Sequence, residues 1–267
     1  MSTTRAIVLA RGLGTRMRAA DPSASLSPEQ QRAADAGLKA MIPLNGRPFL
    51  DYILSSLADA GLLMVALVVA PEHGALRDYY DSASPPLRIR VDFVVQNQAL
   101  GTANAVLAAE AWSNGEPFLT INADNLYPVD VLATLARLSE PGLPAFDRED
   151  LVRAGNIPPE RVRAFAFLEI DDSGYLTGIV EKPPDPSSDH RAISMNCWRF
   201  DERIFQACRD VPLSPRGEFE VPEAVGLALR RGVRFRTFPA SGPVLDLSTR
   251  ADAADVARRL AGISPRP

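Results

Sequence analysis

Apolar residues along this chain fall into two kinds of run. Short, continuous, largely β-branched stretches at residues 6–10, 65–69 and 118–121 read as strands buried on both faces. Residues 89–95 alternate at first and read as a further strand. Between them the apolar spacing changes to three or four. Phe49, Ile53, Leu57 and Ala60 share one helical face, and Gly61 follows as a stop. Helices are also expected over 73–81, from Thr102 to Trp112, and over 129–138 after Pro128. Strand and helix alternate so regularly here that a parallel, doubly wound sheet is predicted.

The second half is less regular. Residues 141–162 hold four prolines and are expected to wander, with one helical piece over 147–154. Residues 163–170 and 175–180 flank Asp171-Asp172-Ser173-Gly174, a hairpin pattern. Strands are predicted over 193–200, 233–238 and 243–247, and helices over 201–209, 220–231 and 249–261. No repeat or separating linker is evident, so one domain over 1–267 is expected. The polar segment 17–37 is predicted to be a mobile loop, ordered by ligand, with a short helix capped by Ser27 and started by Pro28. Asn45-Gly46-Arg47-Pro48 marks a turn.

Composition narrows the class. Hydrophobic residues make up 46%, enough for a core, and the net charge of −4 gives no reason to expect nucleic acid or a membrane as partner. Cys197 and Cys208 are the only cysteines, too few for a disulfide framework and not spaced for a metal. Inert, buried thiols in a reducing compartment are expected. The first apolar run is too short for a signal peptide or a span, so a cytoplasmic protein is expected. Of 29 basic residues only Lys39 and Lys182 are lysines, which suggests that both are needed as lysines.

The chemistry gathers at the ends of the predicted strands, where open α/β sheets bind ligands. Strand 6–10 opens into Arg11-Gly12-Leu13-Gly14-Thr15-Arg16. Glycines let backbone N–H groups approach a phosphate, and an arginine adds a forked donor. An ordinary strand-to-loop turn is the alternative. Met17 stands where a dinucleotide fingerprint needs its third glycine, and no Gly-Lys-Ser/Thr follows, so neither of the best-known glycine loops fits. Asp124, past a strand end, is placed either to hold Mg²⁺ or to cap a helix. Asp246, inside an apolar run, either faces a site or caps the helix after it. Glu181-Lys182 is a sugar and phosphate contact or a solvated turn. His73 and His190 read as surface residues without a role.

In order along the chain, these pieces resemble the sugar-1-phosphate nucleotidylyltransferases. The matches are Leu9 to Arg16, Leu38-Lys39-Ala40-Met41-Ile42-Pro43, Gln96 to Ala103, Asp124, Glu181-Lys182-Pro183, Arg216-Gly217-Glu218 and Asp246. The resemblance implies a GT-A, Rossmann-like α/β fold with a mostly parallel central sheet and a small sugar-side sheet. It implies that Leu9, Ala10, Gly12, Leu13, Gly14, Thr15, Gln96, Gly101 and Thr102 bind the nucleotide. Arg16, Lys39, Asp124 and Lys182 would be catalytic. Asn125, Glu181, Lys182 and Asn196 would touch the sugar, and Asp124 and Asp246 would hold Mg²⁺. The implied reaction joins an NTP to a sugar-1-phosphate and releases pyrophosphate. The amide of Gln96 suits a pyrimidine edge, which favours UTP or dTTP. Transfer to phosphocholine or another non-sugar phosphate, and a silent nucleotide-sugar-binding regulator, are the rival readings. The oligomeric state is left open. Arg11, Leu38, Ala99 and Ser248 depart from the family pattern, and segment 17–37 is longer than usual.

Overall fold

Strand β1 (Arg5–Leu9) is buried on both faces by its own sequence: Ala6, Ile7 and Val8 have no exposed surface. In the computed structural model, which describes residues 2–12, 14–19, 21, 24–163, 165–180 and 192–267, the other main strands follow in chain order. They are β2 (Met64–Val69), β3 (Arg90–Val95), β4 (Phe118–Asn122), β5 (Gly142–Phe146), β6 (Phe167–Ile170), β7 (Leu176–Val180), β8 (Trp198–Phe200) and β9 (Arg236–Ala240). Among the described residues seven of them form one sheet in the order β9-β5-β8-β4-β1-β2-β3. All neighbours are parallel except β8, which runs against both β4 and β5.

The main helices are α1 (Pro28–Asp35), α2 (Phe49–Asp59), α3 (Gly74–Asp78), α4 (Thr102–Ala108), α5 (Val129–Arg137), α6 (Arg148–Ala154), α7 (Pro159–Val162), α8 (Arg203–Asp210), α9 (Val221–Arg230) and α10 (Asp252–Arg259). They cover both faces of the sheet. Ala6 and Val8 share a core with Phe49, Ile53 and Leu57 of α2 and with Leu135 of α5. Ile7 points the other way, into a core with Val106 of α4, Phe205 of α8 and Val225 of α9. Successive strand residues face opposite sides, so one continuous apolar run serves two layers. From β1 the order grows towards β2 on one side and β4 on the other. The chain therefore reverses direction of growth at β1, and a crevice opens at the carboxyl ends of β1 and β4.

The expected doubly wound, mostly parallel α/β sheet is present. The small second sheet is the β6–β7 hairpin, closed by Asp171–Gly174, where Gly174 N–H donates to Asp171 O at 2.9 Å. Helix α1 carries the expected cap: Gln30 N–H donates to Ser27 Oγ at 3.2 Å, and Ser27 N–H donates to Gln30 Oε1 at 2.9 Å. Segment 141–162 carries the expected helical piece as α6, and it also contributes strand β5, hidden in the sequence by Pro141 and Pro144. Pro144 has no N–H to give, and the ladder tolerates it where β8 meets β5 through the single pair Arg199–Gly142. No helix among the described residues is long and apolar enough to cross a membrane.

Candidate active site

The crevice holds a cavity of about 230 Å³. Leu9, Ala10, Gly12, Lys39, Gln96, Gly101, Thr102 and Asp124 all line it, although they come from four separate stretches of chain. Arg11 lines it too. Its Nε donates to Gln96 O at 2.8 Å, so the side chain fastens the glycine loop to the Gln96 segment.

Gln96 is 4% exposed. Its amide nitrogen donates to Gly101 O at 3.1 Å and to Asn104 Oδ1 at 2.8 Å. Both donors are thereby used on the loop and on the start of α4, which leaves the carbonyl oxygen as the acceptor end of this amide. The loop around Gly101 is stitched to the segment after Arg216-Gly217-Glu218. Phe219 N–H donates to Leu100 O at 2.8 Å, Ala103 N–H donates to Phe219 O at 2.9 Å, and Val221 N–H donates to Thr102 Oγ1 at 2.9 Å. Glu218 is carried into the cavity lining by this stitching.

Asp124 ends the turn after β4, and its carboxylate is ion-paired with Lys39 from the short turn Lys39–Met41. Both side chains are about one-fifth exposed, 22% and 21%. Asp246 is brought beside Asp124 by a two-residue antiparallel pairing of Leu245–Asp246 with Asn125–Leu126, and Leu247 N–H donates to Asp124 O at 2.9 Å. Asp124, Asn125, Asn196, Asp246 and Ser248 line a second cavity of about 130 Å³, with Asn122 and Asp124 common to both cavities.

Burial raises the Asp246 carboxyl above the usual carboxylate range, and the negative charge of Asp124 raises it further; the Ser248 hydroxyl and Arg161 oppose this. Two carboxylates that repel across one small cavity, beside the side-chain oxygens of Asn125, Asn196 and Ser248, fit a hard divalent cation such as Mg²⁺, with Lys39 and Arg161 each holding one of them here. Neither acts as a helix cap. Asp252, the first residue of α10, accepts from Ser248 N–H at 3.0 Å and Thr249 N–H at 2.7 Å and so holds the turn into that helix, which has no side-chain cap.

Not every expected site residue meets the cleft. Gly14, Thr15 and Arg16 stand outside the cavity lining, and Arg16 is exposed on the one-turn helix Thr15–Arg18. Leu13, Glu181 and Lys182 lie outside the described residues, as does His190. His73 departs from expectation: it is 9% exposed, folded against its own turn, where Nδ1 accepts from Ala70 N–H at 3.4 Å. Burial lowers its pKa below the usual histidine range. Cys197 and Cys208 are buried, as expected; burial pushes the Cys208 thiol up to about 12 and raises Cys197 as well, so neither is a nucleophile at neutral pH.

A sheet that reverses growth at β1, with a glycine loop, a lysine and two carboxylates at that point, defines an α/β protein built to handle a nucleotide. The sequence model described as Nucleotidyl transferase matches residues 5–246. The UTP–glucose-1-phosphate uridylyltransferase AglF of Haloferax volcanii is 26% identical over 257 residues, 96% of each chain. A glucose-1-phosphate thymidylyltransferase of Streptomyces antibioticus is 28% identical over 275 residues, covering 98% of this chain and 68% of its own. Among solved structures, a UTP-bound UGPase from Acinetobacter baumannii superposes with a TM-score of 0.76 at 17% identity, over 100% of this chain and 95% of that one. The chain belongs to the nucleotidyl transferase family. It is an enzyme of that family, as the motif resemblance implied.

Proposed function

We propose that the protein transfers a nucleotidyl group from an NTP to a sugar-1-phosphate, giving an NDP-sugar and pyrophosphate. The observation that carries this reading is the meeting of two cavities at Asp124, one lined by the glycine loop and Gln96, the other by Asn125, Asn196 and Asp246. Such a junction suits a reaction that joins two phosphates end to end. The names of the relatives AglF and the thymidylyltransferase support the same substrates.

In the proposed reaction an oxygen of the sugar phosphate attacks the α-phosphorus, and the bond to the β-phosphate oxygen breaks. The nucleotide lies along Leu9, Ala10, Gly12, Gln96, Gly101 and Thr102, with Leu13, Gly14 and Thr15 added by resemblance. Asn125 and Asn196 face the acceptor, together with Glu181 and Lys182 by resemblance. Lys39, and by resemblance Arg16, stabilise the charge that builds on the phosphates, and no protein nucleophile is needed. Asp124 and Asp246 would hold Mg²⁺, whose chemistry is to neutralise the triphosphate and polarise its oxygens. One domain over residues 1–267 carries all of this, with 17–37 as its lid, in the reducing cytoplasm.

Base choice follows from Gln96. With its donors used on Gly101 and Asn104, its carbonyl accepts from a ring N–H, which uracil and thymine carry and cytosine lacks. In competition among NTPs, UTP and dTTP are expected to outcompete CTP and ATP. A clear preference for CTP would overturn this assignment and favour the non-sugar phosphate reading.

Lys39→Arg tests whether a lysine is required. A guanidinium is a broad planar fork where a compact ammonium sits between Asp124 and the cavity. Turnover is expected to fall by about a hundredfold with little change in stability. Near-normal steady-state kinetics would remove Lys39 from the catalytic set.

A further inference from the structure

Segment 147–162, the excursion between β5 and β6, lines neither of the cavities that meet at Asp124. Its contacts converge on Asp246 instead. The side chain of Asn156 straddles the Asp246 backbone: Nδ2 donates to Asp246 O at 2.8 Å, and Asp246 N–H donates to Asn156 Oδ1 at 2.7 Å. One side-chain amide thus imitates a strand neighbour. The approach is close: a Cβ on Gly155 would lie 2.5 Å from Val244 O. From α7, Arg161 Nη1 donates to Asp246 Oδ2 at 2.9 Å, and Nη2 donates to Asp252 Oδ1 at 2.9 Å. The other oxygen, Asp246 Oδ1, accepts from Ser248 Oγ at 2.7 Å.

We propose that Asn156 and Arg161 form a brace that aims the Asp246 carboxylate into the cavity it shares with Asp124, and so set the affinity of that cavity for a divalent cation. They are positioning residues, and the inference rests on the reading of Asp124 and Asp246 as metal carboxylates. Asn156 fixes the height of Asp246 along the chain. Arg161 fixes the rotation of its carboxylate by holding the oxygen opposite the one bonded to Ser248. Ser248 lines the shared cavity and Arg161 does not, so the guanidinium works from behind. A purely structural tie between α7 and α10 would be complete with Arg161 on Asp252, whose two carboxylate oxygens it already reaches through Nη1 and Nη2. The additional bond to Asp246 is the one that serves the site. Partners that orient a metal ligand in this way characteristically change metal affinity by about 10–100-fold when removed.

The test is direct binding of Mn²⁺ alone, followed by the EPR signal of the free ion, on the full-length protein and four variants. The unsubstituted protein is expected to bind Mn²⁺, and Asp124→Asn to lose most of that binding. Arg161→Met and Asn156→Ala are expected to bind about 10–100-fold more weakly. Arg161→Lys, which keeps the charge but not the fork, is expected to fall between. In turnover, the Mg²⁺ needed for half-maximal rate should rise in the same order, while the KM for nucleotide changes little. If Arg161→Met does not fold, Asn156→Ala and Arg161→Lys carry the same comparison. Wild-type Mn²⁺ affinity in folded Arg161→Met or Asn156→Ala, beside loss in Asp124→Asn, would overturn the brace alone. Unchanged binding in Asp124→Asn, or no binding by the unsubstituted protein, would overturn the metal site and the brace with it.

Discussion

Asp124→Asn is expected to lower turnover by about a thousandfold or more in a protein that still folds. The change removes one negative charge and almost no volume. Asp124 is the charged residue shared by both cavities, with Asn122 beside it, and its carboxylate is ion-paired with Lys39. Its structural bond is made by the backbone, where Asp124 O accepts from Leu247 N–H, and asparagine keeps that bond. The lost ion pair with Lys39 is partly exposed and contributes at most about 1 kcal/mol. Asp246→Asn should lose activity to a similar degree with a different effect on stability. The carboxyl of Asp246 is raised by burial and by Asp124, so its charge is held at a cost to the fold. Relieving that charge is expected to leave the melting temperature unchanged or higher. Turnover assays beside thermal melts check both variants; two fully active variants would remove these carboxylates from the site.

Gly101→Ala should be nearly as damaging, by a route that is purely steric. Gly101 has φ +105°, a conformation that side chains avoid at a cost of about 1–3 kcal/mol. A Cβ there would also lie 2.4 Å from Phe219 O and 2.8 Å from Phe219 N, both backbone atoms of the segment stitched to this loop. The stitch must open, and Gln96 loses the Gly101 carbonyl that orients its amide. The melting temperature is expected to fall on the order of 10 °C, and the KM for nucleotide to rise well before the KM for acceptor. A melt and kinetics matching the unsubstituted protein would show that the close approach is not real.

Much of the site is legible in sequence because its parts are local. A buried strand that opens into glycines, or ends at Asn122-Ala123-Asp124, declares both its position in the sheet and its chemistry within ten residues. Asp124 is identifiable on those terms; Lys39 stands out as one of only two lysines, and the role of Gln96 comes from the family resemblance; the structure gathers all three around one cavity. What a local reading could not supply is contact between distant segments. The juxtaposition of Asp246 and Asp124 depends on a pairing of only two residues on each side, too short to leave a pattern. Asn156 and Arg161 lie in a proline-rich stretch with no periodicity, and nothing in their neighbourhood marks them as partners of a residue in another part of the chain. Strand β5 was obscured because Pro141 and Pro144 read as loop residues. His73 differs in the opposite direction: the charged Glu72 beside it reads as surface, while its own ring folds back under the turn.

The fate of the α-phosphate tests the central claim most directly. UTP labelled at the α-phosphate is incubated with Mg²⁺, the protein and each of a set of sugar-1-phosphates, and the labelled products are separated. The account predicts that label passes into a nucleotide sugar, with one pyrophosphate formed for each label transferred and none formed when the acceptor is left out. Release of pyrophosphate or inorganic phosphate at the same rate without acceptor, or nucleotide binding with no transfer to any sugar-1-phosphate from UTP, dTTP or the other NTPs, would contradict it.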